Sequence, residues 1–111
     1  RKLHYVEVLQ QYILQHYRQA ISLSQLSNLI ERSPNYTLTI FREVTGKTPL
    51  EYQHRLRITD AMELLLHTNL TVAAIAEHLG YYDTSYFHKI FRKLTGMSPT
   101  SYMKIRNNPI Y

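Results

Sequence analysis

Hydrophobic and polar positions follow a helical period along most of the chain. Apolar residues recur at spacings of three and four in the 111-residue sequence, which predicts amphipathic helices. Hydroxyl or Asp residues precede several apolar runs, and Gly or Asn follows several of them, as expected at helix starts and ends. These signals predict an all-α fold with helices at residues 3–19, 23–30, 34–45, 49–67, 72–79, 84–95 and 99–106.

One segment of the chain occurs twice. Residues 40–49 read IFREVTGKTP and residues 90–99 read IFRKLTGMSP, so six of the ten positions are identical at an offset of 50. In both copies a helix is predicted to end at a Gly, and a hydroxyl residue followed by Pro starts the next helix. A repeat of this length indicates two copies of one supersecondary unit.

Each copy of the repeat begins in the second helix of a helix-turn-helix candidate. Helices 23–30 and 34–45 form the first, and helices 72–79 and 84–95 form the second, whose turn is one residue longer. The second helix of each pair is predicted to bury one face: Tyr36, Thr37, Ile40, Phe41 and Val44 in the first copy, and Tyr86, Phe87, Ile90, Phe91 and Leu94 in the second.

The other helices are expected to complete two lobes of one domain, 1–111. Helix 3–19 has a stripe predicted to be buried, formed by Val6, Leu9, Ile13 and Tyr17 and broadened by Tyr12 and Leu14. No stretch rich in Gly, Ser or Pro interrupts helix 49–67. We therefore expect a stiff linker helix between a first lobe at 4–46 and a second at 71–106.

Mostly polar side chains cover the opposite, outward faces of helices 34–45 and 84–95, with the apolar Leu38 among them. These residues are Asn35, Leu38, Thr39 and Arg42 in the first copy, and Ser85, His88, Lys89 and Arg92 in the second. Small polar, amide and basic groups suit contact with base edges and phosphates. The alternative is that both faces are only solvated surface, and the duplication favours a function.

The charge of the chain is positive and is concentrated near the repeats. The net charge is +5 and the pI is about 9.6, a balance that favours polyanions, membrane surfaces or acidic partners. Nine of the thirteen Lys and Arg residues lie in 40–57 and 89–106. No apolar run reaches transmembrane length.

Several classes of site are excluded or disfavoured by composition. Cys is absent, which excludes disulfides and thiolate metal sites and suits a cytoplasmic protein. The six His residues do not have the spacing of a metal motif. No nucleophile motif, Gly-rich phosphate loop or paired carboxylate site is present, so we expect neither an enzyme nor a cofactor.

The segment from Ile75 to Tyr102, IAEHLGYYDTSYFHKIFRKLTGMSPTSY, resembles the DNA-binding domain of the AraC/XylS family of bacterial transcription regulators. It carries that family's Ile-Ala, Gly, Ser-Tyr-Phe, Phe-Arg-Lys and Thr-Gly-x-x-Pro pattern, and the likeness extends over about residues 4–106. The resemblance implies seven helices in two helix-turn-helix subdomains joined by a long linker helix. It also implies that helices 34–45 and 84–95 enter successive major grooves of double-stranded DNA.

The resemblance implies which positions read bases. They are Asn35, Leu38, Thr39, Thr84, Ser85, His88 and Lys89. We expect phosphate contacts from Arg42, Lys47, Arg92 and Lys93. Ion pairs with nearby carboxylates are the alternative for Arg42 and Arg92, and for Arg57 an ion pair and a DNA contact are equally open.

The expected partners are double-stranded DNA and RNA polymerase, without a membrane. Because the sequence begins at Arg1, we expect a monomeric fragment of a longer protein that dimerises through a missing N-terminal domain. The family suggests activation of transcription. The alternative function is a helical protein–protein interaction module, which would need exposed apolar anchors.

Overall fold

Seven helices account for most of residues 1–107, the part of the chain that the computed structural model describes. They are α1 (Lys2–His16), α2 (Leu23–Ile30), α3 (Pro34–Thr45), α4 (Pro49–His67), α5 (Val72–His78), α6 (Thr84–Thr95) and α7 (Pro99–Asn107). Within these residues there is no strand, and the predicted all-α class is confirmed. The bounds of α2, α3, α4 and α6 agree with the prediction, and those of α5 and α7 differ by one residue.

Helix α1 ends three residues earlier than predicted. The chain turns at His16, whose carbonyl accepts from the Gln19 N–H at 2.9 Å. The side-chain amide of Gln53 then donates to the carbonyls of Tyr17 at 3.1 Å and Gln19 at 2.7 Å. These carbonyls are therefore satisfied by a buried side chain and need no further helical turn.

The chain divides into two compact units, Arg1–His54 and Arg55–Tyr111, with the boundary inside α4. Unit 1 has a core built from α1, α2 and α3. Its fully buried side chains are Val6, Leu9, Ile13, Leu26, Thr37, Ile40 and Phe41. Leu14 was predicted to widen the buried stripe of α1, but 48% of it is exposed. It follows Ile13 by one residue, a rotation of about 100° around the helix axis.

Unit 2 buries residues from one face of the second half of α4 and from α5, α6 and the turn between them. Its buried apolar side chains are Ile58, Ala61, Leu65, Ile75, Ala76, Leu79, Tyr81, Phe87, Ile90 and Phe91. A row of aromatic rings runs through this core, with centroids 5.3 Å apart for Tyr81 and Phe87 and 5.8 Å apart for Phe87 and Phe91. Tyr102 ends the row, 5.6 Å from Phe91.

Two residues predicted to lie on buried helix faces are exposed instead. Val44 is 41% exposed in the last turn of α3, and Tyr86 is 43% exposed in the first turn of α6. Tyr86 lies about 100° around the helix from Phe87, at the edge of the apolar face. The direction of Val44 suits burial, but periodicity does not show whether a neighbouring helix covers the end of α3.

The repeated segment builds the same joint in both units. The Thr of each copy donates its hydroxyl to the carbonyl four residues earlier, at 2.7 Å from Thr45 and 2.8 Å from Thr95. The Gly that follows has a left-handed backbone, with φ of 76° at Gly46 and 80° at Gly96. A side chain there would strain the backbone, so the two glycines fix where α3 and α6 end.

Helix α4 starts with a capping box. The Glu51 N–H donates to the Thr48 hydroxyl at 3.1 Å, and the Thr48 N–H donates to the Glu51 carboxylate at 2.8 Å. Ser22 and Gln25 form a second box, at the start of α2. No helix within residues 1–107 combines the length and apolar character needed to cross a membrane.

Candidate nucleic-acid interface

In unit 1, a tight turn joins α2 to α3. Glu31 has a left-handed backbone, φ 54°, and the N–H of the next residue, Arg32, donates to the Ser27 carbonyl at 3.0 Å. The Ser33 hydroxyl then accepts from the Tyr36 N–H at 3.1 Å and caps α3. This pattern ends one helix and starts the next within three residues.

In unit 2, the corresponding turn joins α5 to α6. Gly80 has the left-handed backbone, φ 93°, and the Tyr81 N–H donates to the Ala76 carbonyl at 3.0 Å. The Asp83 carboxylate accepts from the Tyr86 N–H at 2.7 Å and caps α6. Two residues separate the left-handed residue from the cap, against one in unit 1, which confirms the longer turn.

Each motif buries a small residue in its first helix, close to the turn. Ser27 of α2 and Ala76 of α5 are both buried, and they supply the two carbonyls that accept from the turns. The Ser27 hydroxyl donates to the Ser24 carbonyl at 3.0 Å. Both units therefore bury a small side chain at this position. Where that side chain is polar, as in Ser27, its hydroxyl has a hydrogen-bond partner within the same helix.

The outward face of α3 carries a stripe at spacings of three and four. Asn35, Thr39 and Arg42 are exposed, and Leu38 is half-buried. Leu38 lines an apolar groove of about 310 Å³, together with Ile21, Leu23, Leu26, Thr48, Pro49, Leu50 and Gln53. The sequence predicted Leu38 on this face but did not show the groove. Lys47 lies after α3 and is half-buried.

The outward face of α6 carries the matching stripe. Ser85, Lys89, Arg92 and Lys93 are exposed, while Thr84 and His88 are half-buried. The His88 ring stands edge-on to Phe87, with centroids 6.3 Å apart and planes at 85°. Helix α6 contains three Lys and Arg residues and no acidic residue, so its outward face is strongly cationic.

Most of the predicted DNA-contacting cations have no partner within residues 1–107. Arg42, Lys47, Lys89, Arg92 and Lys93 make no side-chain hydrogen bond or ion pair with the described part of the chain. Glu43, the acidic neighbour of Arg42, pairs instead with Lys2 at 3.0 Å. The ion-pair alternative for Arg42 and Arg92 is therefore not seen, and both guanidinium groups are available to an anion.

Arg57 lies in the interior of unit 2. It is 7% exposed, and its guanidinium carbon lies 4.9 Å from the centroid of the Tyr81 ring. Burial lowers the pKa of Arg57 below its ordinary value and raises the pKa of Tyr81 to about 12. Of the two alternatives for Arg57, this burial favours a structural role, which includes the cation–π contact with Tyr81.

Two tyrosines beside the start of α6 were missed as surface residues. Tyr82 is fully exposed in the turn, and Tyr86 exposes its ring in the first helical turn. Tyr82 lies between Gly80 and the Asp83 cap, outside any helix, so helical periodicity gave no signal for its exposure. No group of three or more His, Asp or Glu among the described residues could hold a metal ion.

Comparison with known proteins agrees with this geometry. A family model described as a helix-turn-helix domain matches residues 26–105. The HTH-type transcriptional regulator YisR of Bacillus subtilis is 36% identical over 94 residues, which are 85% of this chain and 33% of that protein. The melibiose operon regulatory protein of Escherichia coli K12 is 31% identical over 91% of this chain and 33% of its own length.

Solved structures show the same fold. The C-terminal domain of AraT, a response regulator from Geobacillus stearothermophilus, has a TM-score of 0.86 and 32% identity, over 92% of this chain and 85% of that one. The DNA-binding domain of AdpA, solved with a target DNA, has a TM-score of 0.84 over 96% of this chain and 97% of that one. At 22% identity it shows likeness of fold alone.

The present chain spans about a third of the length of the curated relatives it matches. The matched part contains both helix-turn-helix motifs except for the first residues of α2. These relatives are regulators of transcription, and none of the features above indicates an enzyme. The chain belongs to the AraC-type helix-turn-helix family and is a DNA-binding domain of a transcription regulator.

Proposed function

We propose that α3 and α6 each insert into a major groove of double-stranded DNA, in successive grooves of one site. The observation that carries this proposal is the pair of outward stripes, at equivalent positions of two copies of one motif. On or beside each stripe lie cations that have no partner within residues 1–107. Helix-turn-helix proteins place the N-terminal part of the second helix against base edges. One chain would then read two segments of an asymmetric site.

The side chains divide by chemistry into two roles. Amide, hydroxyl, aliphatic, imidazole and ammonium groups near the start and middle of each helix would contact bases: Asn35, Leu38 and Thr39 from α3, and Thr84, Ser85, His88 and Lys89 from α6. Cations toward the helix ends would contact phosphates: Arg42, Lys47, Arg92 and Lys93. Phosphate contacts fix the register of the protein, and base contacts select the sequence.

The salt dependence of binding tests this division. Each phosphate contact contributes roughly 0.9 to the slope of log K against log salt. Arg92→Ala should lower that slope by about 0.9 and weaken all duplexes alike. Lys104→Ala, an exposed cation of α7, removes the same charge outside both stripes and should leave the slope nearly unchanged.

The alternative, a protein-interaction module, predicts a different outcome. No mobility shift of random duplex DNA at micromolar protein and low salt would support that alternative and overturn the proposal. Equal changes of slope in Arg92→Ala and Lys104→Ala would show that only total charge matters, and would remove the assignment of Arg92.

Activation of transcription, contact with RNA polymerase and a cytoplasmic location are further parts of the proposal. They are supported by the relatives, which are regulators of bacterial transcription. Dimerisation would lie in a region outside this sequence, with this fragment monomeric. In vitro transcription with purified polymerase tests the sign of regulation, and sedimentation tests the monomer.

A further inference from the structure

The two outward stripes differ in chemistry although they occupy equivalent positions. The stripe of α3 begins with an amide, Asn35, followed by the aliphatic Leu38 and by Thr39, which carries a methyl group. Its one cation, Arg42, comes two turns after Asn35. The stripe of α6 begins with Ser85 and has two nitrogen-bearing groups, His88 and Lys89, at the two middle positions.

The α3 stripe matches the major-groove edge of an A·T pair. Adenine offers an acceptor and a donor that a side-chain amide satisfies together, and thymine alone carries a methyl group there. Asn35 supplies the amide, while Leu38 and Thr39 supply apolar surface. A G·C pair would place the cytosine amino group against Leu38, where it would lose water without gaining an acceptor.

The residues around Leu38 are also apolar. Leu38 is half-buried and lines the groove with Leu23 and Leu26 of α2 and with Leu50 of α4, which is 58% exposed. The apolar surface therefore continues on both sides of Leu38. A methyl group that meets Leu38 enters contact with a surface that water already wets poorly.

The α6 stripe matches guanine. Guanine presents two acceptors and no donor in the major groove, and an ammonium group is a donor only. Lys89 is exposed, and His88 is held edge-on to Phe87 at 6.3 Å. Because α6 contains no acidic residue, no carboxylate in the helix competes for these donors or accepts from a cytosine amino group.

We infer that the DNA site is asymmetric in composition, with A·T pairs opposite α3 and guanine opposite α6. This inference rests on the proposed function, since it assigns base classes to the two reading helices. Leu38 selects thymine through its methyl group, Asn35 selects adenine, and Lys89 with His88 selects guanine. The two segments of the site are then not interchangeable, and the site has a direction.

Selection of binding sites from randomised duplexes with the unmodified 111-residue chain provides the first test. The expected result is one segment enriched in A·T pairs and a second segment with guanine. Enriched sites with the reverse assignment, or with G·C pairs in both segments, would overturn the inference and leave DNA binding intact. A failure to enrich any sequence would overturn the proposed function as well.

Changes of a single group on one base, combined with single substitutions in the protein, assign each segment of the site to its helix. Replacing the contacted thymine by uracil removes one methyl group and should weaken binding about fourfold. This penalty should vanish in Leu38→Ala. Leu29→Ala, an equal truncation of an exposed leucine of α2, should retain it. Loss of the penalty in both variants, or in neither, contradicts the role of Leu38.

The same scheme applies to α6. Replacing the contacted guanine by 7-deazaguanine removes one acceptor and should weaken binding about tenfold. This penalty should vanish in Lys89→Ala and persist in Lys93→Ala, which removes an equal charge from the same helix. A penalty that persists in Lys89→Ala would overturn the assignment of Lys89, whatever the overall affinity of that variant.

Discussion

The two units build the same motif around different interiors. Thr37 of α3 and Phe87 of α6 occupy equivalent positions, and both are fully buried. The Thr37 hydroxyl donates to the Ser33 carbonyl at 2.8 Å, so it is satisfied within its own helix. Phe87 instead joins the aromatic row of unit 2. The motif therefore fixes the path of the backbone and leaves the core composition free.

A second difference concerns a cation–π contact in which the arginine and the tyrosine have exchanged places between the two units. The residue after the left-handed position of the turn is Arg32 in unit 1 and Tyr81 in unit 2. Arg32 lies over the ring of Tyr5, at 5.4 Å from its centroid, whereas Arg57 lies over Tyr81 at 4.9 Å. Both units therefore connect the turn to a neighbouring helix by a cation–π contact with the two partners exchanged.

The exchanged residues occupy equivalent places on the neighbouring helices, α1 in unit 1 and the second half of α4 in unit 2. Tyr5 directly precedes the buried Val6, Leu9 and Ile13 of α1, and Arg57 directly precedes Ile58, Ala61 and Leu65 of α4. The spacing within the two sets is the same. The second half of α4 thus serves unit 2 as α1 serves unit 1, although the two segments share little sequence.

The comparison predicts that truncation of the two equivalent core positions has very different effects. Phe87→Ala should lower the free energy of unfolding by about 3–5 kcal/mol, because it removes a buried ring and leaves a cavity. Thr37→Ala should lower it by about 1 kcal/mol, because one satisfied hydrogen bond is lost. Urea denaturation measures both. Equal losses would mean that Phe87 does not organise its core.

The exchanged contacts should differ in strength because only one is buried. Arg57→Met should cost about 2 kcal/mol, as for a desolvated cation–π contact, and Arg32→Met less than about 1 kcal/mol. Arg32 also lies over the Tyr36 ring, at 5.0 Å, but is exposed to water. Thermal unfolding of the two variants gives the comparison, and a larger cost for Arg32 would reverse it.

These differences mark the limit of what the sequence could predict about the fold. The bounds of α3 and α6 follow from local chemistry, since Ser33, Asp83, Gly46 and Gly96 act within a few residues of themselves. The burial of Arg57 could not be derived this way, because it depends on Tyr81, which lies 24 positions further along the chain. Periodicity gives the direction of a side chain but not the neighbour it meets.

The candidate site shows the same limit. The outward direction of Asn35, Thr39, Ser85 and Lys89 follows from helical geometry, and the structure places all four on the surface. The groove beside Leu38 is formed by α2, α3 and α4 together. It therefore required the packing of unit 1, and no local pattern in α3 predicts it.

Alkaline pH should destabilise unit 2 through a residue that unit 1 lacks at the equivalent position. Burial raises the pKa of Tyr81 to about 12 from an ordinary value of 10. The stabilisation that this raised pKa gives the folded state is complete below pH 10. It is lost between pH 10 and 12, because Tyr81 ionises at a lower pH in the unfolded chain than in the folded protein. The loss should reach about 2 kcal/mol.

Urea denaturation between pH 9 and 11.5 checks this, with Tyr81→Phe as the control. Other groups titrate in the same range, so the informative quantity is the difference between the parent chain and the variant. That difference should shrink steadily above pH 10. A constant difference over the whole range would mean that the Tyr81 hydroxyl ionises as readily in the folded protein as in the unfolded chain.

The smallest expected effect concerns the charge of the two outward faces. Helix α6 carries three cations and no acid, whereas in α3 the cation Arg42 is followed by Glu43. The Glu43 carboxylate, through its hydrogen bond and its charge, holds the pKa of Lys2 above its ordinary value. Glu43→Gln removes a negative charge beside Arg42 and frees Lys2, so unit 1 should become more like unit 2.

The expected result is DNA binding about twofold tighter at low salt, with the gain disappearing at high salt because exposed charges are screened. Glu63→Gln is the matched control, since Glu63 is an exposed acid of α4 that lies 3.5 Å from His67. An equal gain in the control would assign the effect to net charge. A gain confined to Glu43→Gln would show that the end of α3 lies close to the phosphates.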